Sequence, residues 1–102
     1  MLFLVTTENI PDGAELRKGL VVAHVAYLNR FKDHFVGSGP MLANDTDDVV
    51  GTVMILDMPS RKDLDLFLQE EPYNKGGLFR SIEIRRWRFG LADTNRKDIV
   101  TS

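Results

Sequence analysis

The sequence predicts an α+β fold of the ferredoxin-like βαββαβ type, a four-stranded antiparallel sheet with two helices on one face. Three observations predict it. β-prone and helical segments alternate in the order β-α-β-β-α-β, the split βαβ arrangement. The two helical segments each carry one apolar stripe, which must face a common sheet. The strongest strands are apolar on both alternating faces, so they are central rather than peripheral.

Taken in order, residues 2–7 (LFLVTT) form the first strand, apolar on both faces. Pro11, Asp12 and Gly13 break it, and Asp12 with Glu15 three residues on has the spacing of a capping box. A long helix is expected from there to about His34, with Leu16, Leu20, Ala23, Tyr27, Leu28 and Phe31 as its inward stripe. Residues 35–42 hold Gly37, Gly39 and Pro40, and read as a short, interrupted strand near an edge. The polar run 44–48 (NDTDD) makes a hairpin connection. In the strand 49–58, Val49, Val53 and Ile55 share one face, and Val50, Met54, Leu56 and Met58 the other. Ser60, with Asp63 at N3, starts a second helix whose stripe is Leu64, Phe67 and Leu68. Pro72, Asn74, Gly76 and Gly77 end it in a loop. The last strand, 78–89, changes apolar phase between Ile84 and Trp87, which implies a bulge or burial on both faces. Residues 1–90 make one domain, and 91–102 a polar, mobile tail.

At 102 residues the chain leaves much of its surface unburied, and two helices cover only one side of a sheet that is apolar on both. A large open apolar face marks an interaction surface, and a second copy is its simplest partner. We therefore expect a homodimer through the open sheet face.

Composition excludes several function classes. The formal net charge of −2 gives no reason to expect nucleic acid or an anionic membrane. Arg80, Arg85, Arg86 and Arg88 make one basic strand, too little for a nucleic-acid footprint. The absence of cysteine rules out disulfides and thiolate metal sites and suits a cytoplasmic location. No apolar run approaches the roughly 18 residues of a membrane span. Asp45, Asp47 and Asp48 lack the glycine and distal glutamate of a calcium loop, and two distant histidines make a poor zinc site. No Walker or Rossmann fingerprint is present, so no cofactor is expected.

Three clusters remain as candidate chemistry. His24 lies four residues after Leu20 and four before Leu28, on the inward side of the first helix. It is either a core-edge histidine bonded to backbone or a general base, its ordinary pKa near 6.5 suiting proton transfer at neutral pH. His34, at the helix end, complements the helix dipole. In Gly37-Ser38-Gly39-Pro40 the glycines would let backbone N–H groups approach a ligand, or would only bend a strand; Ser38 lacks the context of a nucleophile elbow. Glu70, Glu71, Pro72 and Tyr73 form the third, in which proline fixes the preceding carboxylate in an extended conformation able to aim it into a pocket.

With these residues in view, the chain resembles the YciI-like (YCII-related) family. The resemblance rests on Ala23-His24-Val25-Ala26-Tyr27-Leu28, on Gly37-Ser38-Gly39-Pro40, and on Glu71-Pro72-Tyr73 before Gly76-Gly77-Leu78-Phe79. It implies a dimeric ferredoxin-like α/β barrel and an active site with a histidine and an aspartate between sheet and helices. Some relatives are cofactor-free lyases or dehydrochlorinases on hydroxylated aromatics. The family histidine matches His24, the family aspartate falls on Glu71, and the basic residue often found three before the histidine is Val21 here. The expected function is cofactor-independent lyase or isomerase chemistry on a small oxygenated or aromatic compound. His24 would move the proton and Glu71 orient it, with Ser38, Gly39, Pro40 and Tyr73 around the substrate. The alternative is a non-catalytic domain that binds a small metabolite or supports a partner protein.

Overall fold

The computed structural model describes residues 1–92. Four strands, β1 (Leu2–Asn9), β2 (Phe35–Leu42), β3 (Val49–Asp57) and β4 (Phe79–Trp87), form one antiparallel sheet in the order β2-β3-β1-β4. The helices are α1 (Ala14–Arg30), α2 (Arg61–Glu70) and the single turn α3 (Pro72–Lys75). This is the predicted βαββαβ architecture. β1 and β3 are the interior strands, which explains why they are apolar on both faces, and β2 is an edge strand as its Gly and Pro content requires.

The helices cover the face that carries Phe3 and Val5 of β1 and Met54 and Leu56 of β3, all at most 2% exposed. Leu64, Phe67 and Leu68 of α2 complete this core, as their spacing predicts. Leu2, Leu4, Val53 and Ile55 project from the opposite face, which no helix covers, and are half-buried. Ser60 caps α2: its Oγ accepts from the Asp63 N–H at 3.1 Å and donates to the Asp63 carboxylate at 2.8 Å.

Several local expectations are corrected. Asp12 does not cap α1; Gly13 is the N-cap, without a side-chain bond, and Asp12 takes φ = 58° in the turn before it. The first helix ends at Arg30, and a 3-10 turn (Lys32–His34) carries the chain into β2. Leu16 and Ala23 are exposed; the inward stripe is Leu20, His24, Tyr27, Leu28 and Phe31, a helix face turned slightly from the one proposed. Residues 72–75, expected as loop, form α3 because Pro72 is pre-set for the first helical turn. β2 runs uninterrupted for eight residues, its irregularities being register shifts between Phe35 and Gly37 and between Met41 and Leu42. β4 is apolar on both faces, one of the two expectations for it: Ile82 and Ile84 pack on the core, and the half-buried Trp87 lies opposite Leu2 on the uncovered side, where it meets Phe89 edge-to-face. The register slip falls nearer the start of the strand, where Arg80 is skipped between Phe79 and Ser81. The tail expectation falls mainly on residues 93–102, outside the described residues.

One irregularity shapes the site. β1 pairs with β3 only as far as Thr6↔Val53, but continues along β4 to Asn9↔Phe79 through a bulge at Glu8/Asn9. At the parting point a Cβ on Gly51 would lie 1.9 Å from the Thr7 carbonyl oxygen, so only glycine fits. The Thr7 hydroxyl takes over the ladder, accepting from Thr52 N–H at 2.9 Å. The end of β1 thus peels away from the start of β3 and opens a cleft beneath the first turn of α1. Val50 lines that cleft and is 42% exposed, not buried with Met54 as its face predicts.

Candidate active site

His24 is the buried residue of α1, with 8% exposure. Its partner is carried by the chain just after α2. Glu71 has extended backbone (φ −65°, ψ 127°), as a residue before proline must. Its side chain caps α3 by accepting from the Asn74 N–H at 3.1 Å. The Asn74 amide donates in turn to the Leu68 carbonyl at 2.9 Å, tying α3 to the end of α2. α3 is pressed against α1 at Gly76, where a Cβ would come within 2.6 Å of Leu20. That close approach brings the Glu71 carboxylate, fully buried, onto His24: Oε1 is in direct hydrogen-bond contact with the imidazole Nδ1.

The carboxylate fixes the tautomer. An ionised Glu accepts only, so Nδ1 carries the proton and the lone pair of the neutral ring is on Nε2. Tyr73, two residues beyond Glu71 in α3, stacks on the imidazole with centroids 3.7 Å apart and planes 10° from parallel. The ring is thus held in plane by Glu71 and in tilt by Tyr73, while 10% of its side-chain surface stays open. Burial pushes the Tyr73 phenol pKa up; the Arg17 guanidinium opposes this and the Glu71 charge adds to it. The phenol oxygen is buried and has no hydrogen-bond partner among the described residues.

The bonded partner of His24 is therefore a carboxylate, not backbone. The extra methylene of Glu71 over aspartate does not keep the carboxyl from the imidazole; it spans the distance while still capping α3. Tyr73 also joins the pair, whereas the other predicted substrate residues occupy the edge strand β2. Ser38 and Pro40 lie opposite Met54 and Thr52 on the helix-covered face, and Gly39 opposite Val53 on the other. Gly39 and Pro40 take no part in the contacts of His24 or Glu71. His34 Nδ1 donates to the Asp57 carbonyl at 2.9 Å, a structural role as expected.

Two further residues escaped the sequence reading. The guanidinium carbon of Arg17 lies 5.9 Å from the centre of the Tyr73 ring, and Arg17 also lines the cleft at the end of β1, a cavity of about 760 Å³. Asn9 lines the same cleft. The signal for Arg17 was its place seven residues before His24, two helical turns along the same face; Asn9 gave none, because its position depends on the bulge. Among the described residues no cluster of His, Cys, Asp or Glu suits a metal ion, and no helix is long and apolar enough to cross a membrane.

The model of the YCII-related domain matches residues 1–88. The chain belongs to the YCII-related family. This YCII-related chain is similar to the 5-chloro-2-hydroxyhydroquinone dehydrochlorinase of Burkholderia phenoliruptrix AC1100, solved in complex with 2,5-dihydroxybenzoquinone, at 31% identity and a TM-score of 0.84. The match covers 88% of this chain and 96% of that one. An antibiotic biosynthesis monooxygenase shares the fold alone, at 14% identity and a TM-score of 0.53 over 86% of this chain and 99% of that one. Among curated proteins none matches.

Proposed function

We propose that this YCII-related chain is a cofactor-independent enzyme that carries out elimination or isomerisation on a small oxygenated or aromatic compound. The observation that carries the reading is the buried contact between His24 Nδ1 and Glu71. A carboxylate behind a histidine fixes the tautomer and stabilises the imidazolium that forms when Nε2 takes a proton. The similarity to a dehydrochlorinase supports the same class of chemistry.

In an elimination, Nε2 removes a proton from the substrate. The electron pair left behind forms the new double bond, and the leaving group departs with its own pair. In an isomerisation, the same nitrogen returns the proton to a different atom. Glu71 holds the imidazole and serves as a positioning residue. Tyr73 holds the ring and contributes a wall of the site.

We further propose that the chain works as a homodimer through the uncovered sheet face, where Leu2, Leu4, Val53 and Ile55 lie. The test of function is kinetic. Turnover is first established on hydroxylated aromatics, halogenated or not, and His24→Ala is then compared. Survival of the rate within about tenfold, roughly 1.4 kcal/mol of barrier, removes His24 as the base.

A further inference from the structure

The mechanism leaves one cation unused. Arg17 has no ion pair among the described residues, and its Nε is buried without a hydrogen-bond partner there. Buried polar atoms are paired in the great majority of cases, so an orphan calls for an explanation. What the guanidinium meets is an aromatic face. Its carbon lies 5.9 Å from the centre of the Tyr73 ring, inside the roughly 6 Å over which a ring attracts a cation. One face of that ring is already taken by the His24 imidazole, with centroids 3.7 Å apart and planes 10° from parallel. Arg17 and His24 are two turns apart on the same face of α1, about 10 Å of helical rise, and helical side chains lean toward the N-terminus. The guanidinium therefore reaches the ring from the side away from the imidazole. The order along the helix is cation, phenol ring, imidazole. The Tyr73 hydroxyl adds nothing to the hold. A buried tyrosine usually finds a partner for its O–H, yet Tyr73, 2% exposed, has none among the described residues. The tilt of the ring is left to what meets its faces and edge: the imidazole, the guanidinium, and Phe79 of β4, T-shaped at 5.9 Å.

We propose that Arg17 is a positioning residue of the His24 site: its guanidinium holds the Tyr73 ring flat against the imidazole and so keeps Nε2 aimed at the substrate. The inference deepens the function proposed above and rests on His24 being the base there. Glu71 fixes one atom of the imidazole through the bond to Nδ1, but a single hydrogen bond still lets the ring swing about that contact. The stack on Tyr73 stops the swing, and it is only as firm as the support behind the phenol ring. A guanidinium suits that place better than an apolar side chain. It is planar, weakly hydrated and drawn to the electron-rich face of an aromatic ring. With no carboxylate paired to it, its attraction falls on Tyr73. Misplacing a reacting group by about 1 Å can cost about a hundredfold in rate, so a residue that never touches the substrate can govern turnover.

The clamp is read directly by NMR on the full chain. In the wild type the Arg17 side-chain protons should show nuclear Overhauser contacts to the Tyr73 ring, and the His24 ring protons should lie upfield, shielded by the stacked phenol. Arg17→Met, which keeps the length and loses the charge, should lose most of that upfield shift. Arg17→Lys, which keeps the charge without the flat fork, should lose less. Removing the cation should also drive the Tyr73 phenol, which burial raises and the Arg17 charge opposes, further up in alkaline difference spectra. On the substrate found for the wild type, Arg17→Met should lower kcat by about tenfold or more while KM stays within about threefold, and Arg17→Lys should restore part of kcat. A His24→Ala enzyme that keeps its rate overturns the function proposed above and leaves the ring shifts to decide the clamp. An inactive His24→Ala enzyme beside Arg17→Met at the wild-type rate overturns this proposal alone. Melting temperatures identify any variant that does not fold, and the wild-type contacts stand without variants. No contact between Arg17 and the Tyr73 ring in the wild type, or His24 shifts unchanged in folded Arg17→Met, also overturns the proposal.

Discussion

Replacing Glu71 separates its two jobs, because the side chain both caps α3 and holds His24. In Glu71→Ala both contacts vanish. Loss of the cap to the Asn74 N–H costs about 1 kcal/mol, and the His24 Nδ1–H, left buried without an acceptor, costs about 1–3 kcal/mol more. A loss of about 2–4 kcal/mol lowers the melting temperature of a domain this size by roughly 10–30 °C. Glu71→Gln behaves differently. The amide fills the same volume and keeps an oxygen for one of the two donors, so its cost is about 1–2 kcal/mol. Its NH2 group, however, can donate to Nδ1, which shifts the ring proton to Nε2 and removes the lone pair that must accept the substrate proton. Turnover should therefore fall by about a hundredfold or more in a protein that still folds. The assays are thermal denaturation by circular dichroism and initial rates on the substrate found for the wild type. A Glu71→Gln enzyme within about threefold of wild-type rate refutes the positioning role, and a Glu71→Ala protein melting within a degree or two of wild type refutes the buried contact itself.

Four other outcomes follow from the same geometry. Gly51→Ala should destabilise by more than about 2 kcal/mol in denaturant melts, since its Cβ would overlap the Thr7 carbonyl, whereas Gly37→Ala, with nothing within 4 Å, should be close to neutral. Ser60→Ala should cost about 1 kcal/mol through the lost α2 cap, read as a shift in the denaturation midpoint. Burial raises the pKa of both tyrosines, Tyr27 and Tyr73, above 10.0. In this window the folded state holds protons that the unfolded chain releases, so stability is full below the ordinary phenol value and falls as pH rises through the folded one. Alkaline difference spectra should show both phenols titrating late, and a tyrosinate signal centred at or below pH 10 in folded protein contradicts this. Ile55→Asp, on the uncovered face, should convert a dimer to monomer in sedimentation velocity; a wild type that sediments as a monomer refutes the proposed assembly.

The amino-acid order by itself determined the architecture. Strand and helix periods differ, β1 and β3 are apolar on alternate residues of both faces, and Gly and Pro consign β2 to an edge. It also singled out His24, Glu71 and Tyr73, since a histidine among Leu20 and Leu28 must face inward and a residue before proline must be extended. It could not show that they meet. His24 and Glu71 are 47 residues apart, and their contact depends on α3 being drawn against α1 at Gly76, a packing distance that no local pattern encodes. The same limit explains why Ser38, Gly39 and Pro40 looked equally promising: their composition speaks of a close backbone approach without saying to what. Asn9 and Arg17 were hidden for the converse reason. They share a cleft that exists because β1 leaves β3 for β4 beside Gly51, and strand divergence is a property of three chain segments at once. Periodicity is local and survives in one dimension; the convergence of side chains from distant segments is set only when those segments pack.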